Sequence, residues 1–216
     1  MTTLVIHPDD RSTDFLRPIY SGIDTKTVLT DAVSEGQLIE AIGSHDQIIM
    51  LGHGSPYGLF NVAQMGHGGT TIGERHVSLL RNKPGIYIWC NADRFVERHG
   101  LRGLYTGMFV SEVGESAACG VSSPQQTVDE SNQLFARVLG EALINRMPYS
   151  EAYEYVDTKY GMLADLNDVA RYNLERWYCR MDERMDYRTG KLGSHTWPGR
   201  QLELALLGSR ELSSYI

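Results

Sequence analysis

Two short apolar runs, Gln47-Ile-Ile-Met-Leu51 and Gly85-Ile-Tyr-Ile-Trp-Cys90, do most to limit what this chain can fold into. Each has strand length and lacks polar alternation, so neither side of the strand can face water. Such strands belong to sheets covered on both faces. Leu4-Val5-Ile6 is a third run, ended by Pro8-Asp9-Asp10, and Lys26 to Leu29 is a fourth. Helical stripes lie between them: Leu38, Ile39 and Ile42 behind a Ser34 cap, then Val77, Leu79 and Leu80 ahead of Pro84-Gly85. Strands alternating with helices imply a mostly parallel sheet with helices on both sides. The expected fold class is α/β, a three-layer α-β-α sandwich.

Farther along, Leu101, Leu104, Tyr105, Met108, Phe109 and Val113 recur at three and four residues, which predicts a helix over 101–113. Ala117-Ala-Cys-Gly-Val121 then reads as a short strand, and Tyr57 to Val62 as a small hairpin or edge piece. Asp129 or Ser131 starts a long helix to about Asn145, and Ser150 opens the next. Residues 165–185, rich in Arg, Glu, Met and Tyr, read as helix, 188–201 as loop, and 202–207 as a last helix or strand. On this reading residues 1–160 form the α/β domain and 161–216 a C-terminal helical and loop extension packed on it.

Composition narrows the function classes. A net charge of −7 over 216 residues argues against a nucleic-acid partner, which calls for a basic face. No apolar run is long enough to cross a membrane, and no leader of signal-peptide type precedes Leu4, so neither membrane nor secretion is expected. Three widely spaced cysteines, Cys90, Cys119 and Cys179, suit neither a disulfide framework nor a CxxC zinc site, and a reducing cytoplasm is the expected compartment. His7, His76, His99 and His195 are scattered and make no metal set. Gly66-His67-Gly68-Gly69 lacks the Lys-Ser/Thr of a phosphate loop and reads as a flexible loop. No cofactor is expected.

The chemistry concentrates at two strand ends. His53 follows the run ending at Leu51, within Gly52-His53-Gly54, and Cys90 ends the run from Gly85. Ligands of parallel sheets bind beyond the carboxyl ends of the strands. A thiol attacks a carbonyl as thiolate, and an adjacent imidazole supplies the base and later the acid. Neighbouring strands lie about 5 Å apart, so the two side chains can meet if their strands pair. The backbone N–H groups of Gly54 and Cys90 are candidate donors to the oxyanion.

An apolar strand ending in His-Gly, a hairpin, a helix, and an apolar strand ending in Cys resembles the caspase-like peptidase fold that caspases, gingipains, separases and CHAT-domain peptidases share. The match runs over residues 3–157 and is nearest in pattern to CHAT domains. The resemblance implies a caspase-like sheet and a cysteine endopeptidase with a His53–Cys90 dyad and an acyl-enzyme intermediate. It also implies a protein or peptide substrate, and a regulatory partner or homo-oligomer. The positions matching the family's pocket include Asp9, Asp10, Asp93 and Ser122 to Asp129, an acidic set that would favour a basic residue before the scissile bond. Each of these has a plainer role as a turn residue or helix cap. Around the nucleophile, Trp89 replaces the usual small residue and Asn91-Ala92-Asp93 follows it, which departs from the caspase pattern.

Two other readings stay open. One is a catalytically silent caspase-like binding module. The other is a Rossmann-like small-ligand protein, which would need a glycine turn after the first strand where His7-Pro8-Asp9-Asp10 stands.

Overall fold

The computed structural model describes residues 1–61 and 70–181 in full, and the backbone of three short strands beyond them. In chain order the strands are β1 (Thr3–Ile6), β2 (Lys26–Leu29), β3 (Gln47–Leu51), β4 (Gly54–Ser55), β5 (Gly58–Phe60), β6 (Thr70–Ile72), β7 (Gly85–Ile88), β8 (Gly103–Thr106), β9 (Trp177–Arg180), β10 (Arg184–Asp186), β11 (Lys191–Gly193) and β12 (Thr196–Trp197). The helices are α1 (Pro18–Ser21), α2 (Glu35–Ser44), α3 (Val77–Leu80), α4 (Ala92–His99), α5 (Val113–Ala118), α6 (Gln125–Ile144), α7 (Tyr149–Ala164) and α8 (Asp168–Leu174), with 3₁₀ turns at Arg11–Leu16 and Glu74–His76.

One seven-stranded sheet runs in the order β12-β9-β8-β7-β3-β1-β2. The five strands from β8 to β2 pair in parallel, while β9 lies antiparallel to β8, and β12 antiparallel to β9. Alternate residues of each central strand feed two separate cores. Val5, Ile49, Leu51, Ile86, Ile88 and Leu104 pack with residues of α1, α6, α7 and α8. Leu4, Ile6, Ile48, Met50, Tyr87 and Tyr105 pack with α2, α3 and α4. This is the expected three-layer α/β sandwich. The Ser34 cap is a full capping box with Gln37.

The order of elements after α4 is the reverse of the sequence reading. Residues 103–106, inside the expected helix, are the strand β8, and the helix α5 at 113–118 runs into the strand expected at 117–121. β8 sits between β7 and β9 with all four residues buried, so its apolar pattern carries no two-residue period and mimics a helical stripe. Helix α5 ends in a glycine turn: Gly120 has φ 76°, and Val121 N–H donates to the Ser116 carbonyl over 2.9 Å. The apolar run 117–121 is therefore a helix end.

Among the described residues of 165–185, read as helix, only α8 is a helix; β9 and β10 are strands. Both β9 and β12 come from the stretch read as an extension, so that stretch supplies two strands of the central sheet. β11 and β12 interrupt the expected loop at 188–201. The readings for residues 66–69 and 202–207 fall outside the described residues. Among those residues no helix is long and apolar enough to cross a membrane.

Candidate active site

Leu51 of β3 pairs with Ile88 of β7, and Gly52 N–H still donates to the Ile88 carbonyl at 3.1 Å. His53 and Cys90 thus occupy equivalent positions, two residues past a shared rung of neighbouring parallel strands. They line one cleft with Thr13, Phe15, Gly52, Trp89, Phe109 and Ser111. Its volume of about 20 Å³ admits a water molecule but no peptide.

Trp89 ties the two strand ends together. Its indole N–H donates to the Ser55 carbonyl at 3.1 Å, and its ring stands edge-on to Tyr87 at 5.7 Å. A Cβ on Gly54 would overlap Trp89 Cδ1 and lie 2.5 Å from its Cγ, so the glycine after His53 makes room for the indole. In the β4–β5 hairpin His53 O accepts from Phe60 N–H at 2.8 Å, while Gly54 faces Leu59. Successive antiparallel pairs alternate between bonded and non-bonded, which directs the Gly54 N–H away from β5.

Each member of the pair is held by a different wall. His53 Nε2 lies 2.7 Å from Ser12 Oγ and 4.0 Å from Asp10 Oδ1. The Cys90 Sγ lies 3.4 Å from the Phe109 carbonyl oxygen and 3.8 Å from Glu115 Oε1, the two acceptors within reach of its one proton. Glu115 in turn accepts the Ser111 N–H and hydroxyl on Oε2, at 2.8 and 3.0 Å. Burial, and then the Glu115 charge, push the Cys90 thiol up to about 12. Asn91, just after Cys90, has φ 64°, and its N–H donates to the Gly107 carbonyl at 3.0 Å, turning the chain sharply from β7 into α4.

Below the cleft His7 braces the turn that carries Ser12. Thr13 Oγ1 donates to the Asp10 carbonyl, so it accepts from His7 Nε2–H at 3.1 Å, and His7 Nδ1 accepts the Tyr20 hydroxyl at 3.1 Å. Burial, followed by the Arg17 charge, lowers His7 from 6.5 to about 4. In the unfolded chain His7 takes up a proton near pH 6.5, whereas in the fold it does so only near pH 4. Stability present above pH 6.5 is therefore lost as pH falls through that window, by roughly 3 kcal/mol at its lower end. Urea melts between pH 7 and pH 4 should show this slope, and a His7→Gln protein should lack it.

The acidic residues named from sequence do not converge. Asp9 forms an exposed ion pair with Arg17 at 3.1 Å. Asp10 caps the 3₁₀ turn beside His53. Asp93 lies in the first turn of α4, half-buried, with its carboxyl pushed up by burial, and Ser122 is exposed after α5. Asp129 alone reaches a groove adjoining the dyad cleft, about 330 Å³ in volume, lined also by Arg11, Ser12, Ser111, Glu112 and Asn132. Ser12 and Glu115, the two side chains bonded to the dyad, escaped the sequence reading. Asp10-Arg11-Ser12 after a strand was the signal for the first; nothing local marked the second. No His, Cys, Asp or Glu group among the described residues could hold a metal ion.

Comparison of the chain with protein-family models, with curated proteins and with solved structures found no match.

Proposed function

We propose that this protein is a caspase-like cysteine endopeptidase. The supporting observation is the placement of His53 and Cys90 at equivalent positions past paired parallel strands, in one cleft. His53 takes the thiol proton and the Cys90 thiolate attacks the scissile carbonyl. The N–H groups of Gly54 and Cys90 receive the oxyanion, and the imidazolium protonates the departing amine. Water then attacks the thioester with His53 as base, releasing the acid and restoring the thiol. The adjoining groove, with Glu112 and Asp129 against Arg11, favours a basic residue before the cleaved bond. Three free cysteines suit a reducing cytoplasm.

The test is a peptide library varying in that residue, with mass analysis of the quenched protein. Cleavage after Arg or Lys and an acyl adduct on Cys90 are expected, both lost in Cys90→Ala, and cleavage lost in His53→Ala. Wild-type turnover by the Cys90→Ala protein would overturn the assignment.

A second reading, a silent binding module of the same fold, is favoured by the thiol's bond to Glu115 and its raised pKa. It predicts no adduct on Cys90 with any peptide and partner binding that Cys90→Ala leaves intact.

A further inference from the structure

We infer that Asp10 and Ser12 form a positioning relay that fixes which nitrogen of His53 is free to act as base. The inference rests on the reading of His53 as that base, and it follows from counting protons. Asp10 Oδ1 accepts both the Ser12 N–H at 2.9 Å and the Ser12 hydroxyl at 2.7 Å. These two bonds, the hydroxyl first, hold the Asp10 carboxyl below its usual range, so at neutral pH it is ionised and only accepts. Ser12 has one hydroxyl proton, and Asp10 takes it. The contact of 2.7 Å between Ser12 Oγ and His53 Nε2 must then have its proton on the nitrogen.

Two consequences follow. Ser12 cannot be a nucleophile activated by His53, although the separation alone would suit one. The neutral imidazole carries its lone pair on Nδ1, leaving that nitrogen to take the proton of Cys90. After proton transfer Nε2–H still donates to Ser12, so the same bond serves both states of the ring.

The relay is built by local sequence. Asp10 stands in extended backbone just past β1 and closes an Asx turn onto Ser12 N–H. Thr13 N–H and hydroxyl both bond back to the Asp10 carbonyl at 3.0 Å, and His7 supports Thr13 from beneath. Asp10 thus reaches the site through the histidine and not as a substrate-pocket carboxylate.

The experiment is long-range ¹H–¹⁵N correlation of ¹⁵N-histidine-labelled protein at pH 8, with wild type, Ser12→Ala and Ser12→Thr, alongside peptide cleavage. Wild type should show His53 with pyrrole-type Nε2, pyridine-type Nδ1 and an Nε2–H that exchanges slowly. Ser12→Ala should lose the slow proton and lower kcat roughly tenfold to a hundredfold with KM little changed, and Ser12→Thr should restore both. A proton on Nδ1 in wild type, or a slow Nε2–H that survives Ser12→Ala, would overturn the relay. The spectra are read without turnover. The expected tautomer in a protein that cleaves nothing supports the relay and counts against the peptidase reading alone.

Discussion

Replacing Glu115 with Gln should speed alkylation of Cys90 by iodoacetamide roughly tenfold to a few hundredfold at pH 7.5. Only the thiolate reacts, and a thiol near pKa 12 is ionised in on the order of one molecule in a hundred thousand at neutral pH. Burial is the larger cause and remains in the variant. The Glu115 carboxylate at 3.8 Å is the next cause, and it opposes a second negative charge beside it. Removing that charge lowers the thiol pKa and enlarges the reactive fraction. A glutamine whose oxygen keeps the Ser111 N–H would turn its amide toward sulfur, adding a donor to the thiolate. Peptide mapping of the labelled protein gives the rate, with buried Cys179 as internal reference. An unchanged rate would mean that burial alone silences the thiol.

Gly103→Ala should destabilise the fold by at least about 3 kcal/mol and reduce the yield of folded protein. Gly103 opens β8 with φ 131°, a conformation that L side chains rarely adopt. Its Cβ would overlap the Gly85 carbonyl oxygen, and Gly85 C would stand 2.7 Å away. The contact is between backbones of paired strands, Gly85 of β7 with Gly103 of β8, so neither side can give way without opening the sheet at the end of β7 opposite Cys90. Gly100→Ala is the control. Gly100 has φ 63°, and its Cβ would meet nothing within 4 Å, so only backbone strain of about 1 kcal/mol applies. Urea melts of the two variants should separate clearly; equal stabilities would refute the clash.

The sandwich and the strand ends that carry His53 and Cys90 were legible because both depend on strands buried along their whole length. Ile48 to Leu51 and Ile86 to Ile88 have no polar residue to permit another arrangement, and their ends mark the sheet's ligand edge. The same property hid β8. A strand covered on both faces has no period of its own, and Leu101, Leu104, Tyr105 and Phe109 happen to fall at helical spacing. Gly103 and Gly107, which bracket the strand, were the better guide. Glu115 could not be read at all, because it meets Cys90 only through the path of the chain after β8. Asp10 was read as pocket where the structure makes it a partner of Ser12, a difference of a few ångströms that residue type cannot encode.

The indole of Trp89 sets apart two walls of the cleft that are held by different means. It bolts the histidine's hairpin to the end of the cysteine's strand, so those two sides form one jaw. The opposing jaw is the span from Gly107 to Glu112 that holds Phe109, Ser111 and the approach to Glu115. It is anchored by side-chain amides: Asn173 accepts the Val110 N–H at 2.7 Å and donates to the Val110 carbonyl at 2.9 Å, and Asn132 Nδ2 donates to the Ser111 carbonyl at 2.8 Å. Asn132 and Asn173, on α6 and α8, thus join the helical layer to the wall of the cleft that carries Phe109 and Ser111.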